Sequence, residues 1–594
     1  MLYPRTNEYR QVMDLGGFWS FRPDPADEGV KAGWAAGFPA GVPLAVPASW
    51  NDQLPELRDF LGPAWHATDF TVPLAWREIH GEPYRKGGRL LLRFDSVSYL
   101  AEVWLNGGRL GLHEGGHLPF SFDVTASVRP GRNVLVVRVD GSLAPDRVPP
   151  GNITPDPLDV FPSSPPFPNT SYDFFPFCGI HRPVRLCLVP QGGIDDVAVT
   201  SAPRGKDAVV SVHVRADPGG AAAGGAVVAR IRLSGHGADL SADADLSSGQ
   251  AEAEIRVPRP SLWSCESPSL YELEVTLLRG GTAFDSYSLL MGIRTISVEG
   301  DRLLLNGRPV YLKGFGRHED FPVTGRGLVP AVIIRDFDIM KWTGANSFRT
   351  THYPYSEEMM DLADRLGFLV IDETPAVGLF FRDIGLKRRG ELCASFVREL
   401  IQRDRNHPSV IAWSLANEPH SRRPEAAPFF RSLYDLARSL DATRPVTVVS
   451  HVGIDEESFA FCDFASLNRY YGWYTESGRI EEGCEKLSSE LDALHAKFRK
   501  PIVLTEFGAD TVAGMHAEPP EMFSEEYQAR FIERYIEVLN GKPWVAGAHV
   551  WNLCDFKTGQ AVHRFGGMNL KGVFTRDRRP KMAAHVLRRL WGGQ

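Results

Sequence analysis

The chain has 594 residues, too many for one hydrophobic core, with 43% apolar residues and a formal net charge of −8. A mild acidic balance with no basic run argues against nucleic-acid binding, and no window approaches the roughly 18 apolar residues of a membrane span. Seven cysteines, none in a Cys-x-x-Cys pair, and a start without an apolar signal core lead us to expect a reduced, soluble, cytoplasmic protein.

Residues 1–190 read as all-β. Short alternating runs such as Arg89–Phe94, Ala101–Leu105 and Asn133–Val139 are separated by turn residues, among them the hairpin signal Asn106-Gly-Gly108. A β-sandwich or jelly roll follows. Residues 145–172 break the pattern with prolines and run into Asn169-Thr-Ser-Tyr-Asp-Phe-Phe175. A long irregular stretch in a compact unit is functional or disordered. Its aromatics Tyr172, Phe174, Phe175 and Phe177 favour function.

Residues 191–295 carry further alternating strands, Ala208–Arg215 and Ala226–Leu233, at a spacing that suits an immunoglobulin-like sandwich. The Gly-rich residues 218–225 read as a surface turn. No chemistry suggests itself here, so this unit is read as a spacer.

From 296 to 594 strands alternate with amphipathic helices. The strands are Val310–Phe315, Ala345–Arg349, Phe368–Asp372, Val410–Ser414, Val446–Ser450, Phe464–Asn468, Ile502–Glu506 and Ala546–Trp551. Ser524 caps a helix carrying Tyr527, Phe531, Tyr535 and Leu539, and another carries Leu392, Phe396 and Leu400. Eight such units predict a (β/α)8 TIM barrel, whose active site lies at the C-terminal strand ends. Those ends are rich in polar residues: His318, Asn346, Arg349, Asp372, Asn417, Glu418, Asn468 and Glu506, with Trp551 among them.

Two ends match in design. Val410-Ile-Ala-Trp-Ser-Leu-Ala-Asn-Glu-Pro419 is a buried-strand run delivering Glu418, and Pro501-Ile-Val-Leu-Thr-Glu-Phe-Gly508 delivers Glu506. Glycosidic hydrolysis needs one carboxyl to protonate the leaving oxygen and a second to attack the anomeric carbon or activate water. Asn417 is placed to bind a sugar 2-hydroxyl. One such glutamate alone reads as a structural ion-pair partner; two in matched strands of one barrel favour catalysis. No His-Glu-x-x-His or similar cluster supports a metal, and no cofactor is expected.

The stretches Ser414–Pro419 and Leu504–Gly508 resemble the acid/base and nucleophile signatures of family 2 glycoside hydrolases. So do Pro260–Tyr271, Tyr172–Phe175 with Gly179–Arg182, Lys313–Asp320, Thr351–Tyr355, Asn468–Tyr474 and Phe574–Arg578. The resemblance spans nearly the whole chain and is nearest the β-glucuronidase branch. It implies a retaining exo-acting hydrolase, with Glu418 as acid/base and Glu506 as nucleophile, roughly 5–5.5 Å apart. Glu418 should then keep its proton while Glu506 is ionised. It further implies that Asp173 reaches the sugar from the first unit. His318, Asn468, Tyr470, Tyr474, Trp551 and Arg564 match other pocket positions, and a homo-oligomer, tetramer or dimer, is expected.

Asn569-Leu-Lys571 decides the sugar. By spacing alone Lys571 reads equally as a solvated loop lysine. The resemblance makes Asn569 and Lys571 a contact for the C6 carboxylate of a glucuronide, a charge-assisted bond contributing about 1.5–3 kcal/mol. Here Asn569 stands five residues after Arg564 rather than the four of a familiar bacterial form. The alternatives are a β-galacturonidase, a β-galactosidase lacking the carboxylate contact, or a non-catalytic sugar-binding protein, which the two glutamates oppose. After Ile371–Gly378 a dozen residues lead to a helix expected near Glu391, without the long overhanging loop of some bacterial relatives. This implies an open mouth and tolerance of large aglycones.

Overall fold

Alternation of apolar and polar residues builds the first two units. In a computed structural model describing residues 2–39, 41–77, 88–154, 165–217, 226–382 and 385–592, a six-stranded and a four-stranded antiparallel sheet face each other. Gly88–Phe94 is central in the smaller sheet, and Pro63–Thr71 and Arg132–Asp140 in the larger. Their inward residues, including Trp19, Leu92, Phe94, Val103 and Val137, close one core. Asn106 and Gly107 turn the hairpin between Leu100–Leu105 and Gly108–Glu114, both at positive φ. A three-stranded and a four-stranded antiparallel sheet form the second sandwich around Val212, Ile231, Leu273 and Val275. The Gly-rich turn expected at 218–225 lies outside the described residues.

The remainder is a closed parallel barrel of eight strands. In order these are β1 (Leu312–Gly316), β2 (Ser347–Arg349), β3 (Leu369–Glu373), β4 (Val410–Asn417), β5 (Val446–Ser450), β6 (Ala465–Asn468), β7 (Ile502–Glu506) and β8 (Val545–Val550). All eight expected strands form. Each of β2 to β8 is buried throughout, as strands enclosed by helices must be. Between β2 and β4 run α1 (Glu357–Leu366) and α2 (Leu386–Asp404), and α3 (Glu525–Asn540) precedes β8. Ser524 Oγ accepts from Tyr527 N to cap α3, and Tyr527, Phe531, Tyr535 and Leu539 are its buried face, as expected.

The helix expected from about Glu391 starts instead at Leu386. Arg389 explains the extra turn: it is buried, donates to Phe380 O at 2.8 Å and Pro145 O at 2.7 Å, and lies over the Phe380 ring.

The three units share contacts. Trp263 of the second sandwich is fully buried, donates to Asp364 O at 2.8 Å, and joins Leu312, Leu369, Phe464 and Val503 in an apolar plug under the barrel. The first sandwich meets the barrel through Asp52, held by Lys557 at 2.7 Å and Arg576 at 2.6 Å. Lys557 also caps the Phe175 ring at 4.4 Å, and its carbonyl accepts from Phe175 N. These contacts pin the irregular aromatic segment against the barrel mouth.

Asp336 is fully buried between two guanidiniums, Arg317 at 2.7 Å and Arg578 at 2.8 Å. Asp336→Ala strands both charges and should cost about 3–5 kcal/mol. A fall in the urea midpoint of tryptophan fluorescence measures this; an unchanged midpoint would contradict it.

Candidate active site

The polar strand ends gather at one mouth, with two exceptions. Asn346 bonds to Tyr311 O and Lys313 N at the opposite, entry side of the barrel. Asp372 accepts from Thr350 Oγ1 and meets Asp404 of α2. Alternation along β3 allows only one of two successive residues inside, and Glu373 takes that place.

Glu418 follows β4 at a φ of 44°, a left-handed conformation rare for a glutamate and typical of strain held at functional sites. Asn468 Nδ2 donates to Glu418 Oε1 at 2.9 Å and to Asn417 Oδ1 at 3.2 Å. Thr505 Oγ1 donates to Asn468 Oδ1 at 2.8 Å and fixes that amide's orientation. Glu506 ends β7 and is buried. Its Oε1 accepts from Arg349 Nη2 at 2.5 Å, and its Oε2 from the Tyr470 hydroxyl at 2.7 Å. Arg349 Nη1 also lies 3.3 Å from Asn417 Oδ1, so one chain of hydrogen bonds joins the two glutamates.

Burial pushes the Glu506 carboxyl up to about 8, and nearby Glu418 adds to the rise against the pull of Arg349 and Tyr470. This departs from the expectation of an ionised Glu506. The reason is burial first, which disfavours the charged form, and the nearby Glu418 carboxyl second. Both donors nevertheless favour charge on Glu506.

A second group lies beyond Tyr470 and Tyr474, whose rings meet edge to face at 5.3 Å. Lys571 is 0% exposed, so it is no solvated loop lysine. Its Nζ donates to Asp510 and, at 2.9 Å, to the Tyr474 hydroxyl. Its ammonium also sits 4.7 Å from the Tyr474 ring centre. Arg564 grips Asp173 through Nε at 2.8 Å and Nη2 at 2.5 Å, and reaches Tyr474 at 2.9 Å. Asn569 Nδ2 donates to Asp173 at 2.6 Å, and its Oδ1 accepts from Lys571 N. Burial alone would push Asp510 up, but Lys571 and Arg564 more than reverse it and hold the carboxylate below its usual range. Despite the altered spacing, Arg564 and Asn569 share one partner.

His318 and Trp551 form the third group. His318 lies 4.2 Å from the Phe556 ring, 5.4 Å from Trp551 and 5.1 Å from Phe174 of the irregular segment. Burial, then the charges of neighbouring His352 and arginines, keep His318 well below its ordinary value and therefore neutral. Trp551 stacks on His352 at 5.0 Å. Gly508 permits this packing, because a Cβ there would stand 2.1 Å from the Trp551 carbonyl.

Three residues of the mouth escaped sequence reasoning. Asp510 follows Glu506 by four residues in a loop without periodicity. Glu373 hides behind Asp372 in the strand. His352 sits in a loop whose sequence carries no spacing signal. Cys554 is buried with its thiol pushed up to about 12, which makes it inert as a nucleophile. Among the described residues no group of three His, Cys, Asp or Glu stands ready for a metal, and no helix is long and apolar enough to cross a membrane.

Residues 12–190 match the glycosyl hydrolases family 2 sugar binding domain, 193–294 match glycosyl hydrolases family 2, and 296–593 the family 2 TIM barrel domain. A beta-glucuronidase of Paenibacillus borealis is 40% identical over 100% of this chain and 98% of its own length. That of Rattus norvegicus is 38% identical over 100% and 92%. A Ruminococcus gnavus β-glucuronidase solved in complex with D-glucaro-d-lactam superposes with a TM-score of 0.90 at 37% identity, covering 99% of each chain. The β-D-glucuronidase structure from Dictyoglomus thermophilum superposes at 0.88 and 36% identity, covering 100% of this chain and 99% of the other. Two sandwiches, a barrel with paired strand-end glutamates, and matches along the full length lead to one conclusion: this chain belongs to family 2 of the glycosyl hydrolases.

Proposed function

We propose that the chain is a retaining, exo-acting β-glucuronidase that releases glucuronate and an aglycone by double displacement through Glu418 and Glu506. The observation that carries this reading is a buried corner of Lys571, Arg564 and Asn569, linked to the glutamate pair through Tyr474 and Tyr470. Lys571, Arg564 and Asn569 are the donors that a sugar carboxylate needs and a neutral sugar does not.

In the first step Glu506 attacks the anomeric carbon while Glu418 gives its proton to the departing glycosidic oxygen. The resulting glycosyl ester on Glu506 is then hydrolysed by water, from which Glu418 takes a proton back. A carboxyl separation of roughly 5–5.5 Å belongs to this mechanism. Asn417 and Asn468 hold the acid/base side and serve the sugar hydroxyls. Trp551 and His318 wall the sugar ring.

Without substrate the corner balances two cations, Lys571 and Arg564, against two acids, Asp510 and Asp173. Asp173 is the accessible acid, with 40% of its side chain exposed. It is therefore the member that turns from Arg564 to a sugar hydroxyl when the substrate carboxylate arrives. The short connection before α2 supports tolerance of bulky aglycones. Seven unpaired thiols support a reducing, cytoplasmic setting, and the family resemblance supports a homo-oligomer.

Three outcomes test this reading. Glu506→Gln should lower aryl glucuronide turnover roughly 10³-fold or more, and near-parental turnover would sink the assignment. Lys571→Ala should cost about 10- to 150-fold in kcat/KM on the glucuronide while sparing the matching glucoside, so an unchanged ratio of the two would exclude the carboxylate contact. Because the Tyr470 hydrogen bond lowers the Glu506 pKa, Tyr470→Phe should move the acid limb of the kcat/KM profile to higher pH.

A further inference from the structure

Behind Glu506 stands a third carboxylate that the double displacement does not use. Glu373 ends β3, is fully buried, and has its acceptor sites filled by protein donors. Arg349 Nη1 meets both of its oxygens, at 2.7 and 2.8 Å. Ser414 Oγ donates at 2.7 Å, and His352 Nδ1 lies at 3.0 Å. Nothing is left over for a sugar, so Glu373 is not a substrate ligand.

Two of its three partners, Arg349 and His352, also turn toward Glu506. Arg349 is a bridge, with one nitrogen on Glu373 and the other 2.5 Å from Glu506 Oε1. His352 is a second bridge, with Nδ1 on Glu373 and Nε2 3.7 Å from the same Glu506 oxygen. The charged and titratable groups around Glu373 are Arg349 and His352. Those around Glu506 are Arg349, His352, Glu418 and Tyr470. Burial works against ionising Glu373, yet Arg349 and His352 more than reverse it and hold the carboxylate below its usual range. An ionised Glu373 takes the Nδ1 proton of His352 and so sets the ring's tautomer.

Two effects follow. The first is geometric: the guanidinium is held at two ends, Nη1 on Glu373 and Nη2 on Glu506, so Glu373 fixes the end opposite Glu506. The second is electrostatic. A lone guanidinium at 2.5 Å would stabilise the Glu506 anion strongly and weaken it as a nucleophile. Sharing that cation with an equally close anion returns basicity to Glu506.

We propose that Glu373 is a positioning residue for the reaction, orienting Arg349 and His352 against Glu506 and cancelling enough of the Arg349 charge to keep Glu506 nucleophilic. This rests on the reading of Glu506 as the nucleophile.

The test is the pH dependence of kcat/KM for an aryl glucuronide on the full chain, with circular dichroism as the folding check. Glu373→Gln keeps size and acceptor geometry but removes the charge. It should lower kcat/KM roughly 10- to 100-fold and move the acid limb to lower pH, opposite in sign to Tyr470→Phe. Glu373→Asp restores charge on a shorter arm and should return the limb toward the parent while leaving part of the rate loss. An acid limb that stays in place or rises in Glu373→Gln overturns the proposal, even if the rate falls, because a purely structural role predicts no shift downward. If Glu373→Gln does not fold, Glu373→Asp decides, and parental kcat/KM in that variant overturns the proposal. Failure of the underlying reading is distinct: there Glu506→Gln would itself retain turnover.

Discussion

Two carboxyl groups must be held close together in a barrel mouth that excludes water, and the surrounding structure answers that repulsion. Burial and the nearby Glu418 both raise the cost of ionising Glu506, and the donors around it offset that cost. Arg349 and Tyr470 converge on Glu506, whereas Glu418 accepts from the Asn468 amide. The asymmetry lies in which strands supply the donors. Arg349 ends β2 and reaches across the mouth, while Asn468 ends β6, beside β7 and near Glu418.

The same constraint shapes the rest of the mouth. Buried charges survive in a protein only when paired and hydrogen-bonded. Glu373 balances Arg349 and Asp510 balances Lys571. Arg564 is the one cation of the corner whose main partner, Asp173, comes from another unit and stays accessible. An exchangeable partner at that position suits a pocket that must admit a charged sugar and release it. The site is therefore an arrangement of compensated charges in which one compensation is loose.

The first sandwich is part of the active site rather than an appendage. Asp173 lies on an irregular, proline-rich path that no regular element could follow. The path keeps its shape because Phe174 packs on His318 and Tyr353, and because Phe175 and Phe177 sit under the Lys557 ammonium. Lys557 is in turn neutralised by Asp52 of the same sandwich. Asp173, the aromatic packing and an interdomain ion pair are thus one continuous structure.

Much of this was legible in the residues. Period-two alternation and β-branched runs set all eight barrel strands, and Ser524 with its i, i+4 aromatics set a capped helix, because local periodicity decides which face is buried. Glu418 and Glu506 announced themselves by ending apolar runs, and strand ends of such a barrel share one rim. Other features depended on contacts between residues hundreds of positions apart. Lys571 read equally as a surface lysine until the fold buried it against Asp510 and Tyr474. The strand end pointed to Asp372, yet barrel closure turns it outward to α2 and Glu373 inward to Arg349. The start of α2 followed from Arg389 finding backbone carbonyls across the interface. The sequence by itself determined which segments are strands and where the paired acids stand, since those follow from local pattern. Only the tertiary structure decided which charges neutralise which, because burial and pairing are set by packing, not by order along the chain.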